Sequence, residues 1–159
     1  MGPRGALAPV VAATVLGSNG VECGAPLLQS DERVSMAVED CSLERGIVDQ
    51  VIERLQNARR PLVLLGGGIS RSAALAALTR LRELKLPVMT TWNGADRIGA
   101  DDLVSFGRPN TWGQRSSNVL IQQCYFLITL GMRLGLQPTG LTWRSFAPLA
   151  PVVQSPFLR

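Results

Sequence analysis

Residues 61–91 read PLVLLGGGISRSAALAALTRLRELKLPVMTT, and this segment decides the fold of the chain. Its apolar run at 62–65 is short, uninterrupted and closed by three glycines, which is typical of a strand buried on both faces of a parallel sheet. Ser70 or Ser72 is then placed to cap a helix. Residues 86–91 predict a second strand that ends in polar residues. The helix between the two strands has a single apolar stripe, which consists of Ala74, Leu75, Leu78, Leu81 and Leu84.

The alternation of strand and helix continues on both sides of this segment. Residues 42–58 have the apolar spacing of a helix, and a further helix is predicted after Gly113. The run YFLITL at 125–130 predicts another buried strand, closed by Gly131. Such alternation is typical of an α/β fold with an open parallel sheet and right-handed crossovers. Weaker strand patterns occur at 103–106, 141–143 and 151–153.

Length and composition indicate one globular domain. The chain has 159 residues, 46% of them hydrophobic and 18% charged. Residues 1–43 are rich in Gly, Pro, Ala and Ser without a sustained hydrophobic period, so we expect an irregular N-terminal arm or linker there. No run of 18 uninterrupted apolar residues occurs, and we expect no membrane-spanning helix.

The residue counts exclude several kinds of chemistry. The sequence has no histidine, which excludes Ser-His-Asp hydrolysis, HExxH zinc sites and His-ligated haem. Cys23, Cys41 and Cys124 are widely spaced and form no CxxC pair, which favours neither a zinc site nor a disulfide framework. A reducing, cytoplasmic location fits this pattern best.

Charge is distributed unevenly along the chain. All 12 acidic residues lie at or before Asp102, and residues 103–159 carry arginines without any acid. This cationic third suits an anionic ligand such as a diphosphate, with solvated surface arginines as the alternative. It lacks the lysine clusters and interleaved aromatics of a nucleic-acid surface, so we expect no nucleic-acid partner.

Ligands of open α/β sheets bind at the carboxyl ends of the strands. Residues 66–68, 90–91 and 131–133 are three such strand ends. The glycine run matches a dinucleotide fingerprint only in part, because Arg71 stands where a third glycine is expected. A glycine turn between a strand and a helix also needs no ligand, and this alternative stays open.

Two further groups of residues are candidates for chemistry. A loop holds Asp96, Asp101 and Asp102, but solvated loop carboxylates are the commoner case and we predict no metal site. Aromatic side chains near the strand ends either border a pocket for a flat ring or belong to the core. These are Trp92, Phe106, Trp112 and Trp143.

The ordered motifs GGG at 66–68, PVMTT at 87–91, FGRPNTWGQR at 106–115 and LGMRLG at 130–135 resemble one family. They are similar to the central domain of thiamine-diphosphate-dependent enzymes, of the acetolactate-synthase-like type. The resemblance covers residues 44–153 and leaves 154–159 as a tail. It implies a Rossmann-like open parallel sheet of about six strands flanked by helices, of the DHS-like NAD/FAD-binding type.

In acetolactate synthases this domain binds FAD, and in relatives it binds another adenine nucleotide such as ADP, or nothing. The resemblance implies that the glycine run faces the cofactor's diphosphate or ribityl chain. It places the threonines beside the ribityl or ring end, and Gly131 and Arg133 near the adenosine half. Guanidinium groups of Arg108 or Arg133 also suit the phosphates. The candidate cofactor-binding residues are Gly66, Gly67, Gly68, Thr90, Thr91, Arg108, Gly131 and Arg133.

The chain departs from the family where thiamine diphosphate is bound. It has no Gly-Asp-Gly segment, which holds magnesium and the diphosphate in the family, and no counterpart of the glutamate that activates the cofactor. We therefore expect a fragment with no catalytic residue, inactive alone. Thiamine diphosphate, magnesium and the transferase or lyase reaction belong to the full-length parent. Expected partners are the flanking thiamine-diphosphate domains or a second copy. The alternatives are a structural or interaction domain without ligand and, remotely, a free-standing NAD-dependent enzyme.

Overall fold

The computed structural model describes residues 36–37, 45–140 and 145–155, and the side chains of residues 49–140 and 145–154. Strands and helices alternate along these ranges, as the sequence predicts. The strands are β1 (Met36–Ala37), β2 (Pro61–Leu65), β3 (Val88–Thr90), β4 (Phe126–Leu130) and β5 (Val152–Ser155). The α-helices are α1 (Arg45–Asn57), α2 (Arg71–Glu83), α3 (Arg115–Gln123) and α4 (Leu136–Thr139), and a 3-10 helix spans Trp92–Gly94.

The five strands form one sheet in the order β1-β5-β4-β2-β3, and every neighbouring pair is parallel. The predicted α/β fold with a parallel sheet is therefore confirmed. The predicted count of about six strands is not confirmed within the described ranges. Residues 103–106 supply one isolated bridge, between Ser105 and Val88, and residues 141–143 lie outside the described ranges.

The chain changes direction across the sheet at β2. It first passes through α2 to β3 on one side of β2, and then through α3 to β4 on the other side. The segments after β2 and β4 therefore leave the sheet next to each other. This is the topological switch point at which open α/β sheets form a crevice.

Both faces of the sheet are covered, which explains the uninterrupted apolar runs of β2 and β4. Val63 and Leu65 of β2 face a core layer built with α1 and α2. Leu62 and Leu64 face the opposite layer, which includes Ile121 of α3. Side chains that alternate along one strand thus fill two separate cores.

Helix α2 begins as predicted, with Ser70 as its N-cap. The Ser70 hydroxyl accepts a hydrogen bond from the Ala73 amide at 3.1 Å. The predicted stripe is wrong at Leu75, which is 57% exposed, whereas Leu78 is 1% exposed. Leu75 lies one residue, or about 100°, beyond Ala74 around the helix, and so falls outside the buried face.

Part of the predicted irregular arm belongs to the sheet, because β1 pairs with β5. All other residues of the predicted arm at 1–43 lie outside the described ranges. The same holds for residues 156–159 of the predicted tail. The domain boundaries therefore stay a prediction. No helix in the described ranges combines the length and the hydrophobicity that crossing a bilayer requires.

Candidate functional site

Two loops meet at the carboxyl edge of the sheet, one after β2 and one after β4. The Gly66 amide donates to the Leu130 carbonyl at 2.8 Å, and the Gly68 amide donates to the Gly131 carbonyl at 2.7 Å. A Cβ atom at Gly66 would lie 2.3 Å from the Gly131 oxygen. The two loops therefore approach each other so closely that glycine is required on both sides.

These contacts change the role expected of the glycine run. Gly131 has φ +65°, and a Cβ there would lie 2.3 Å from the Ile69 nitrogen. The amides of Gly66 and Gly68 are already engaged within the protein, so they are not the donors that a bound phosphate would use. Close packing of backbone explains why Gly66 and Gly131 are glycine.

A cleft of about 830 Å³ opens above this contact, at the switch point between β2 and β4. Its charged lining side chains are two arginines, Arg97 and Arg133, and no acidic residue lines it among the described residues. Five of the eight predicted binding residues line the cleft, namely Gly67, Gly68, Thr91, Gly131 and Arg133.

Two other predicted residues line a second cavity, of about 400 Å³. Thr90, which is buried, and Arg108 belong to it, together with Phe106. Thr90 and Thr91 are consecutive, so the two cavities flank the end of β3. The eighth residue, Gly66, lines neither cavity.

The aromatic residues near this edge do not belong to the core. Trp92 is 50% exposed, Phe106 43% and Trp112 79%, whereas Trp143 lies outside the described residues. The Arg108 guanidinium lies 5.3 Å from the centre of the Trp92 ring. This cation–π contact fixes an aromatic plane beside the second cavity.

Arg97 is a charged residue of the cleft that the sequence analysis missed. Its side chain is only 14% exposed and lines the cleft. Its Nε donates to the Ile69 carbonyl at 2.6 Å, and its Nη2 donates to the Gly67 carbonyl at 3.2 Å. No motif marks it, because both acceptors are backbone atoms about 30 positions earlier in the chain.

Two of the three loop carboxylates, Asp96 and Asp102, are paired with arginines. Asp96 accepts from Arg71 at 2.7 Å and also binds Arg97, and the pKa of Asp96 is lowered, mainly by the hydrogen bond from Arg71. Asp102 binds Arg82 of α2. The described residues contain no group of three acidic, cysteine or histidine side chains placed to hold a metal ion.

Cys124 is not placed to act as a nucleophile. Its thiol is buried and donates to the Ile121 carbonyl at 3.1 Å. Burial raises the pKa of Cys124 to about 11, so the group remains a thiol at neutral pH. Cys124 therefore offers no nucleophile to either cavity.

The family model for the thiamine pyrophosphate enzyme central domain matches residues 48–156. The chain is 32% identical over 107 residues to the acetolactate synthase isozyme 2 large subunit of Escherichia coli; the match spans 67% of this chain and 19% of that protein. It is likewise 32% identical over 107 residues to a probable acetolactate synthase large subunit of Methanocaldococcus jannaschii, a match that spans 67% of this chain and 18% of that protein. It is 34% identical over 107 residues to the acetolactate synthase large subunit of Parasynechococcus marenigrum, a match that spans 67% of this chain and 17% of that protein. The chain thus matches about a fifth of the length of these relatives.

Proposed function

This chain belongs to the family of thiamine pyrophosphate enzyme central domains, and from that premise we propose that it binds FAD or ADP in the cleft between the β2 and β4 loops. The observation that carries the proposal is the position of the cleft, at the switch point of a parallel sheet. Its two arginines and the absence of lining carboxylates among the described residues favour a diphosphate.

The two cavities are suited to binding different parts of a dinucleotide. The larger cleft has the arginines and the start of α2, which suit phosphate groups. The second cavity, with Phe106 and the Arg108–Trp92 pair at its border, suits a flat ring. Thr91 lines the cleft and its neighbour Thr90 lines the second cavity, so in this proposal FAD extends along both and ADP occupies the cleft alone.

We propose no thiamine-diphosphate chemistry for this domain by itself. Its sequence has no Gly-Asp-Gly segment, and its described residues offer no acidic cluster for magnesium. These residues do not fit thiamine diphosphate, and we derive no catalytic step from them. The proposed role is that of a nucleotide-binding, DHS-like central domain that works beside thiamine-diphosphate domains, in the same polypeptide or in another copy.

Isothermal titration calorimetry tests the proposal. We expect ADP and FAD to bind with a Kd on the order of 10⁻⁴ M, because one domain encloses only part of the ligand, and adenosine to bind at least about tenfold more weakly. The variant Gly67→Leu should lose this binding, since a Cβ there would lie 2.7 Å from the Asn93 carbonyl oxygen. Gly99→Leu is the matched control, because a Cβ at Gly99 meets no atom within 4 Å.

A second candidate function is a ligand-free structural domain. The contact between Gly66 and Gly131 favours it, because this contact accounts for two of the glycines without any ligand. Absence of heat with both ADP and FAD would support this function and overturn nucleotide binding. Formation of acetolactate from pyruvate by the pure chain, above a control without protein, would contradict the expected inactivity.

A further inference from the structure

The glycine turn after β2 presents backbone oxygens as well as amides to its surroundings. The carbonyls of Gly67 and Ile69 both accept hydrogen bonds from Arg97. Without that side chain, the two oxygens would carry unpaired partial negative charge at the cleft that we propose for a diphosphate. Arg97 therefore changes the electrostatic character of the turn as well as its hydrogen bonding.

Arg97 also joins three separate parts of the chain. Its Nη1 binds Asp96, and Asp96 in turn accepts from Arg71 at the first position of α2. The network thus connects the loop after β3, the glycine turn and the start of α2. Glycine-rich turns have many conformations in the unfolded chain, so contacts from outside the turn are needed to select one.

Three N–H groups of Arg97 have acceptors among the described residues. A guanidinium has five N–H donors in all, so two remain. The side chain lines the cleft, and the phosphate oxygens of a ligand there would be acceptors for the remaining donors.

We propose that Arg97 holds the Gly67–Ile69 turn in its binding conformation and provides the phosphate contact that makes the cleft prefer phosphorylated ligands. The second half of this statement rests on the proposed nucleotide binding. The first half does not, because the contacts to the two carbonyls exist without a ligand. Selectivity in this cleft then comes from a side chain rather than from the amides of Gly66 and Gly68, which donate hydrogen bonds within the protein.

The ligand-free role is tested by amide hydrogen exchange in the whole chain. In Arg97→Met, and also in Arg97→Lys, we expect the Gly68 amide to exchange at least about tenfold faster, because a lysine cannot reach both carbonyls in the fork geometry. The Val63 amide, which donates to the Pro87 carbonyl between β2 and β3, should keep its protection. Unchanged exchange at Gly68 would overturn the positioning role.

The ligand-dependent role is tested with ADP and adenosine. We expect Arg97→Met to weaken ADP at least about tenfold, which is about 1.4 kcal/mol, while the affinity for adenosine changes little. The affinity of Arg97→Lys for ADP should lie between those of the unaltered chain and of Arg97→Met, since lysine keeps the positive charge. Arg115→Met, at an exposed residue outside both cavities, is the control.

The outcomes separate the two proposals. If the unaltered chain fails to bind ADP or FAD, nucleotide binding is overturned, and the exchange experiment still decides the positioning role. If Arg97→Met binds ADP as the unaltered chain does, the phosphate contact is overturned. Should Arg97→Met not fold, Arg97→Lys provides both measurements.

Discussion

At the scale of single residues, the contact between Gly66 and Gly131 holds the site together. A side chain at either position would enter the backbone of the opposite loop, with the nearest atoms 2.3 Å away. The same contact keeps the ends of β2 and β4 adjacent, which places Gly67 and Arg133 in one cleft. The site thus depends on a backbone contact that forms without any ligand.

Gly131→Ala tests this contact. We expect a loss of about 2–4 kcal/mol in the free energy of unfolding, because a positive φ costs a non-glycine residue and the new methyl overlaps Ile69. Gly99→Ala is the control, with open space around the added Cβ and an expected change within about 1 kcal/mol. Urea denaturation measures both, and equal stabilities for the two variants would contradict the account.

Single residues were harder to assign from the sequence than the elements that carry them. The glycine run could be recognised as a strand end, but the partners of its amides could not be assigned, because the acceptors are the carbonyls of Leu130 and Gly131, more than 60 positions later. Arg97 gave no signal for the same reason. Long-range backbone contacts leave no local pattern in a sequence.

At the scale of elements, α2 packs against the core with one face and exposes the other. Leu78 is 1% exposed within the core shared with β2 and α1, and Leu75 in the same helix is 57% exposed. Both are leucines in the helix interior, so they have the same helix propensity. Any difference between their alanine variants therefore reports burial.

We expect Leu78→Ala to lower the free energy of unfolding by about 2–5 kcal/mol and Leu75→Ala by less than about 1 kcal/mol. The larger loss combines the transfer of the side chain with the cavity that it leaves. Thermal or urea denaturation of the two variants provides the comparison. A cost for Leu75→Ala as large as that for Leu78→Ala would contradict the assigned helix face.

An ion pair between Arg82 and Asp102 connects α2 to the loop that precedes residues 103–106. Arg82 Nε donates to Asp102 Oδ2 at 2.8 Å, and Asp102 Oδ1 accepts from the Val104 amide at 3.2 Å. The hydrogen bond from Arg82 lowers the pKa of Asp102 below its ordinary value. The unfolded chain therefore binds this proton at a higher pH than the folded chain does.

It follows that Asp102 stabilises the fold above about pH 4 and loses this contribution as the pH falls toward its lowered pKa. Asp102→Asn should be less stable than the unaltered chain at pH 7, and the difference should shrink below about pH 4. Urea midpoints measured from pH 7 to pH 3 test this, with the exposed neighbour Asp101→Asn as control. A difference that grows toward low pH would contradict the assignment.

The sequence was most informative about strands and helices, because the periodicity of apolar residues is a local property of the chain. The runs at 62–65 and 126–130 became β2 and β4 as predicted. Residues 86–91 gave only three residues of strand in β3. The four-residue helix α4 was missed, since LQPT contains a proline and has no buried residue. Segments this short are determined by tertiary contacts rather than by period.

At the scale of the whole molecule, the position of the cleft follows from strand order. The alternating pattern predicted parallel strands but not that β4 lies beside β2, with β3 on the other side. That order creates the switch point, and the switch point creates the cleft. The cationic C-terminal third contributes Arg133 to it, whereas the charge nearest the glycine turn comes from Arg97.

Whether this cleft binds a nucleoside diphosphate, as we propose, is decided by ADP titration of the ¹⁵N-labelled chain, followed by amide chemical shifts. We expect saturable shifts confined to the lining residues, led by Gly67, Ile69 and Arg97, with α1 unaffected. No saturable shift up to millimolar ADP, or shifts centred away from the cleft, would contradict it.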